Sequence, residues 1–346
     1  MRKYIIVIVI MIINACYTEF NAQGRNVSKT GTVAATFLEI PAGASAVGMG
    51  GAYVSVANDA SALYWNVSAT ANTAQAELYV QHTNWIAGTS FDFAGLLIPL
   101  TGLGTLGVSF TSLSMPDMMV RTEQKPEGTG EYFSAGDMAV GISFARGLTE
   151  RFSVGFTAKY IQQTIWHEKA TGFAIDASTI FRTDLFNGMV IGASISNFGT
   201  SMQMTGRDTR TFSRIDPTKQ GSNDRVPFNI ELDSWDLPLF IQIGISTNVI
   251  KTDQIRWVVA ADALHPNDNY ESVNVGTELS YNDFVYLRAG FNSLFLDKAQ
   301  REGGLSLGVG VASGNLLGQT GIKFDYAYRN FGRLENIHVF SVGLKL

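Results

Sequence analysis

Ile322-Lys323-Phe324-Asp325-Tyr326-Ala327-Tyr328-Arg329 decides the fold. Large apolar side chains alternate with residues that are charged or small. A strand sends alternate side chains to opposite faces. One face is therefore apolar, and the other carries Lys323, Asp325 and Arg329. The pattern recurs along the chain, and no helices are offered to cover the apolar face. Lipid outside and a polar lumen inside satisfy both faces at once. The expected fold is an all-β transmembrane antiparallel barrel.

Composition points the same way. Charged residues make up 16% of the chain, against about 25% in an average soluble protein. Glycine and aromatics are plentiful and proline is scarce. Mean hydropathy is +0.10, too low for a bundle of membrane helices. Beyond the N-terminus no run reaches the ~18 apolar residues of a spanning helix. The net charge of −5 argues against a nucleic-acid partner.

The N-terminus reads as a secretory leader over residues 1–22. Arg2 and Lys3 supply the positive region, and Ile5 to Ile13 supply the apolar core. Cleavage after Ala22 is the preferred end, although Phe20 is large for its position. Lipidation at Cys16, after Ile13-Asn14-Ala15, is the alternative. Cys16 is the only cysteine, so a chain that loses its leader crosses an oxidising periplasm without wrong disulfides. An N-terminal extension and hatch over 23–75 and a barrel over 76–346 complete the expected organisation.

Fourteen strands are expected, near 76–86, 90–100, 104–114, 132–145, 151–162, 171–182, 188–198, 238–248, 254–263, 271–281, 284–292, 303–312, 319–329 and 336–346. Each matches the ~9–11 residues that cross a bilayer at a tilt. Leu305, Leu307, Val309 and Val311 interleave with Ser306, Gly308 and Gly310. The last strand alternates Phe340, Val342, Leu344 and Leu346 with Ser341, Gly343 and Lys345. It ends on leucine rather than the common terminal phenylalanine. An even count is usual for bacterial single-chain barrels.

The connections alternate in length. Every second link is short, around Gly102, Gly147, Asp184, Lys251, Asn282 and Asn315. Most of the others are longer: 115–131, 163–170, 199–237 and 293–302. The first, near Gly88, is a short exception. Short periplasmic turns and longer external loops are the habit of bacterial outer-membrane barrels. Tyr79, Trp85, Trp166, Trp257, Tyr281 and Tyr286 fall near strand ends, as interfacial girdles do.

Residues 37–72 are rich in small residues and poor in charge, as a plug packed in a lumen would be. Asn58-Asp59-Ala60-Ser61 is suited to cap a short helix. The stretch Gly48-Met49-Gly50-Gly51-Ala52-Tyr53-Val54-Ser55-Val56-Ala57-Asn58-Asp59-Ala60-Ser61-Ala62-Leu63-Tyr64-Trp65-Asn66 resembles the leading motif of the PorV/PorQ family. That family is related to the FadL-type outer-membrane transport proteins. Its members usually continue Asn-Pro-Ala, whereas this chain has Asn66-Val67-Ser68. The resemblance implies a fourteen-stranded barrel with an N-terminal hatch in a bacterial outer membrane. For the PorV branch it implies an accessory of type IX secretion that binds a translocon or secreted cargo. For the FadL branch it implies uptake of hydrophobic small molecules. Met49, Tyr53, Leu63, Tyr64 and Trp65 are the expected ligand and hatch residues. Membrane lipid is the partner common to both branches.

Other chemistry is poorly supported. Gly102-Leu103-Gly104-Thr105-Leu106-Gly107 matches a dinucleotide fingerprint in letters, but a strand follows it where the motif needs a helix. It reads as a hairpin turn. His82, His167, His265 and His338 are scattered without metal spacing. Asn267-Asp268-Asn269 has one carboxylate and reads as a solvated turn rather than a calcium site. No serine stands in a recognisable triad. The expected protein is therefore non-enzymatic and without cofactor or metal.

The expected lumen face carries Lys159, Asp176, Arg256, Asp262, Glu278, Arg288, Lys323, Asp325 and Arg329. A charge-selective pore favours one sign, and here both mix. Paired charges that brace the wall or hold the hatch are the favoured reading. The long link 199–237 holds Arg207, Asp208, Arg210, Arg214, Asp216, Lys219, Asp224 and Arg225, then Phe228 and Trp235. It is either a partner-binding surface or a mobile loop.

Overall fold

A computed structural model describes residues 29–346 except 215, 217, 219–224, 297–300, 302, 318–319 and 335, with backbone alone at 314–317. The leader with Cys16 and Ala22, and the loop residues Lys219 and Asp224, lie outside the described residues.

Fourteen strands form the wall: β1 Glu77–Asn84, β2 Ser90–Leu100, β3 Gly104–Ser114, β4 Ala135–Gly147, β5 Phe152–Ile165, β6 Glu168–Arg182, β7 Val190–Gly199, β8 Phe240–Lys251, β9 Ile255–Pro266, β10 Ser272–Tyr281, β11 Val285–Leu294, β12 Leu305–Leu317, β13 Thr320–Arg329 and β14 Ile337–Lys345. Each pairs antiparallel with its neighbours in sequence. β1 also pairs with β14, from Glu77↔Lys345 to Asn84↔His338, so the sheet closes and leaves no long edge. Among the described residues no helix is long and apolar enough to cross a membrane. The chain crosses with strands.

The alternation sorts the two faces as expected. On β13, Phe324 is 57% exposed while its neighbour Asp325 is 5% exposed. Leu305, Leu307, Val309 and Val311 on β12 are all exposed to the outside. On a closed barrel that exterior is the lipid face.

Two expectations need correction. The link at 163–170 shrinks to Trp166 and His167, because β5 and β6 continue as a paired hairpin to Ile165↔Glu168. Alternating polar residues at Gln162 and Thr164 mark where this hairpin leaves the apolar belt. The aromatic girdle is also narrower. Tyr79 is buried toward the lumen, Tyr286 lines an inner cavity, and Trp85 packs on Phe331 with centroids 5.3 Å apart. Trp257 and Tyr281 do face outward near the short-turn end, joined there by Phe181, Phe186 and Phe284. A strand end places a ring near an interface, but only its parity decides whether the ring faces lipid.

Most remaining links follow the length rule, with 101–103, 148–151, 252–254 and 282–284 on the short side; 183–189 on that side is longer than 85–89 and 267–271 on the other. Two short ladders form within the long link after β7. Arg210–Ser213 pairs with Val226–Asn229, and Met202–Gln203 with Ser234–Trp235.

The core lies in the lumen. Residues 36–72 cross it as a hatch with two 3-10 turns, Thr36–Glu39 and Val67–Thr70, and two short helices, α1 Ala44–Gly48 and α2 Ala62–Trp65. Ala42, Ala44, Ala46, Met49, Ala52, Val54, Ala60 and Ala62 are each 0% exposed. Ser61 stands at the start of α2 but makes no side-chain cap. Instead Asp59 Oδ1 accepts the Ser61 N–H at 3.1 Å, and the other carboxylate oxygen turns to Lys323.

Candidate functional site

Glycines of the wall make room for the hatch backbone. A methyl built on Gly290 would overlap the Met49 carbonyl carbon and the Gly50 nitrogen, and one on Gly276 would overlap the Met49 oxygen. Gly155 sits under Val67 and Ser68, Gly192 under Val54, and Gly48 lies against the Gly308 backbone. A glycine in a strand often marks such close approach.

Polar groups of the wall then bind the hatch backbone. Asp262 Oδ2 on β9 accepts N–H bonds from Tyr53 at 2.8 Å and Val54 at 2.9 Å. Gln242 donates to the same oxygen at 3.1 Å. Glu77 accepts from Ala60 N at 2.9 Å, and Gln81 accepts from Gly43 N. Asn66 donates to Val54 O at 2.9 Å and to Thr179 O of β6 at 3.1 Å. Hydrogen bonds to a charged acceptor are each worth about 1.5–3 kcal/mol. Asp262→Ala removes three of them, two from hatch amides, and leaves those two N–H groups in a dry site. We expect amide exchange at Tyr53 and Val54 to rise sharply while exchange in β9 stays slow. Unchanged protection at both amides would contradict this role.

A chain of ion pairs runs beneath Met49. Arg256 Nη2 meets Glu278 Oε1 at 3.0 Å, and Glu278 Oε2 accepts from Arg288 Nε at 2.7 Å. Arg288 Nη1 meets Asp325 Oδ1 at 2.7 Å. Lys323 joins Asp325 at 3.3 Å to Asp59 of the hatch at 3.4 Å. Five of the nine expected lumen charges thus form one network that reaches the hatch. The other four lie elsewhere. Lys159 and Asp176 pair at 2.6 Å beside Asn197, where the β6–β7 register slips. Asp262 holds hatch amides, and Arg329 stands at the opposite mouth over Phe331.

Two cavities flank the hatch. The outer one is about 660 Å³ and is lined by Tyr64, Trp65, Trp85, Phe240, Tyr270 and Phe331, with Asn274 and Asn292 at its floor. The inner one is about 530 Å³ and is lined by Asp59, Arg256, Glu278, Ser280, Tyr286 and Lys323. Adjacent strands read the path in order. On β10 the inward residues are Asn274, Gly276, Glu278 and Ser280; on β11 they are Asn292, Gly290, Arg288 and Tyr286. In each, the outer pocket comes first, then the glycine beneath Met49, then the ion pairs and the inner cavity. Met49 and its neighbours separate the cavities.

The five expected hatch residues therefore divide. Tyr64 and Trp65 line the outer pocket, their rings 5.1 Å apart and edge to face. Trp65 Nε1 donates to Ala42 O at 2.6 Å and Tyr64 Oη to Leu38 O at 3.0 Å, which fixes both rings. Met49, Tyr53 and Leu63 are fully buried and serve the seat. Sequence pattern does not assign Phe331 or Trp85 to this pocket, because each lies in a link with no periodicity of its own.

The turn at Asn267-Asp268-Asn269 is not a solvated one: Asp268 is 4% exposed and lies by Glu39 of the hatch. Glu39 has a face open at the pocket rim, yet burial of its carboxyl, and then the Asp268 charge, push it up to about 8. Burial also raises Asp268. Both acids bind protons more tightly folded than unfolded, so this contact is firmest at low pH. It weakens as pH rises from the ordinary carboxylate range through about 8. Among the described residues no group of histidine, cysteine and carboxylates is arranged to hold a metal.

No family model matches the chain, and no curated protein matches it. Solved structures do. The Pseudomonas putida toluene transporter TodX is 12% identical, and the match covers 88% of this chain and 97% of TodX with a TM-score of 0.54. The CymD monoaromatic hydrocarbon channel is 12% identical over 88% of this chain and 97% of its own, with a TM-score of 0.57. A Pseudomonas aeruginosa FadL homologue is 11% identical over 87% and 97%, with a TM-score of 0.51. The fold is that of the FadL-type outer-membrane barrels. With its apolar exterior and closed fourteen-strand wall, the chain is a bacterial outer-membrane protein.

Proposed function

We propose that this barrel conducts hydrophobic small molecules inward, by way of the outer pocket and a movement of the hatch. The observation that carries the reading is the aromatic outer pocket set directly above the Met49 seat. Its volume falls in the range of small-molecule sites, and its lining of rings with a few amides is typical of them. TodX and CymD, which share the fold, are described as a toluene transporter and a monoaromatic hydrocarbon channel. Trp65→Ala should weaken binding of toluene by about 2 kcal/mol, roughly thirtyfold. In cells lacking the wild-type gene, the variant should restore uptake of labelled toluene at low concentration less well than the wild type. Equal uptake by variant and wild type would remove the pocket from the route.

A second reading is favoured by the PorV/PorQ-like stretch from Gly48 to Asn66 and by the ribbon after β7, where Phe212, Phe228 and Trp235 are exposed beside Arg210. In this reading the external loops bind a translocon or secreted cargo. A pull-down from solubilised outer membranes separates the two. Recovery of a large translocon barrel or of cargo supports secretion, and recovery of the barrel with a hydrophobic ligand supports transport.

A further inference from the structure

The segment before the hatch runs over the external mouth. Val33 makes a parallel bridge to Asp236, and the Ala34 N–H donates to Asp236 O at 2.8 Å. The Ala35 N–H donates to Gln163 Oε1 at 2.9 Å. Both anchors are external, since Asp236 lies in the long link after β7 and Gln163 lies near the outer end of β5. Thr30 and Thr36, on either side of this fastening, line the outer pocket. The segment thus borders the pocket at Thr30 and Thr36 before the chain descends into the lumen.

The fastening is concentrated at Val33 to Ala35. Ala35 is buried in the core and Ala34 packs against it, while residues 29–32 are exposed. A segment with few buried contacts and a short backbone ladder opens at low free energy. The hatch below it is different, being mostly buried and bonded to the wall at Asp262, Glu77 and Asn66. Two parts of one N-terminal segment therefore have separate fastenings, one on each side of the pocket.

From this geometry we propose that residues 29–35 are a strap that controls admission of ligand to the outer pocket, with Gln163 as the positioning residue that holds it. The proposal rests on the outer pocket being a ligand site. Ligand enters from outside when the strap lifts from Asp236 and Gln163, and no movement of the hatch is needed for this step. The strap governs the rate of binding, while the pocket rings govern affinity.

A redox-switched fastening tests it. Val33→Cys with Asp236→Cys places two thiols at bridged positions, and V33C alone controls for the native Cys16. The probe is 4-bromotoluene, a heavy-atom quencher followed through Trp65 and Trp85 by stopped-flow fluorescence. A W65F/W85F variant supplies the background from the other tryptophans. The oxidised double variant should associate at least about tenfold more slowly than the same protein after reduction. Gln163→Ala, which removes one of the strap's two anchors, should associate faster than wild type with little change in final quench. Equal rates in the oxidised and reduced forms would overturn the strap. No pocket quench in the wild type would overturn the pocket as a ligand site, and the strap with it.

Discussion

Alanine at Arg288 is expected to destabilise the barrel by about 3–5 kcal/mol, the cost of breaking a buried pair from one side. The Arg288 side chain is 0% exposed and meets Glu278 and Asp325, whose side chains are 6% and 1% exposed. Without the guanidinium, both carboxylates remain in the lumen wall with fewer donors. Lys323 reaches Asp325 and Arg256 reaches Glu278, so neither acid is wholly abandoned. The loss should show as a lower urea midpoint for the gel-mobility shift between folded and unfolded barrel. The triple variant R288M/E278Q/D325N removes the three most buried charges together and should recover part of the loss, because Lys323 keeps Asp59 and only the partly exposed Arg256 loses its partner. If R288A alone left the midpoint unchanged, the network would have no part in holding the wall.

The second large effect is functional. Gly290→Leu should displace the hatch and turn a closed barrel into a conducting one. The added side chain starts where the Met49 carbonyl and Gly50 nitrogen already lie. Overpacking of this kind costs about 1–3 kcal/mol. The wall strand is held on both sides by ladders, from Val285↔Val311 and Tyr281↔Val285, so the hatch is the part that yields. Planar-bilayer recordings should show frequent openings in G290L and a quiet wild type. Gly343→Ala is the control, since its added methyl finds nothing nearer than Tyr79 Cδ2 at 3.7 Å. Quiet G290L, folded normally by gel mobility, would mean that the hatch seat does not set the closed state.

The wall is legible in the sequence because lipid takes the place of a core. Nothing interrupts the period of two in Ile322–Arg329, and the short links at Gly102 and Asn282 carry the same message independently. The hatch is legible from its small residues, since a lumen already crowded by side chains admits little else. Its attachment is not. Asp262 looks like any lumen charge in sequence, and only the fold brings it to the Tyr53 and Val54 amides. Gly276 and Gly290 look like the small positions of alternating strands, and only proximity to Met49 gives them a role. The ring of aromatics around Trp65 joins residues far apart in the chain, and no periodicity links Trp85 to Phe331.

The most direct test of the account is an equilibrium titration of the purified wild-type barrel and its Trp65→Ala variant with toluene, followed by calorimetry. A single saturable site in the wild type, weakened roughly thirtyfold in the variant, is the predicted result. No saturable binding in the wild type, or the same affinity in both proteins, would contradict the claim that the pocket above the hatch receives the ligand.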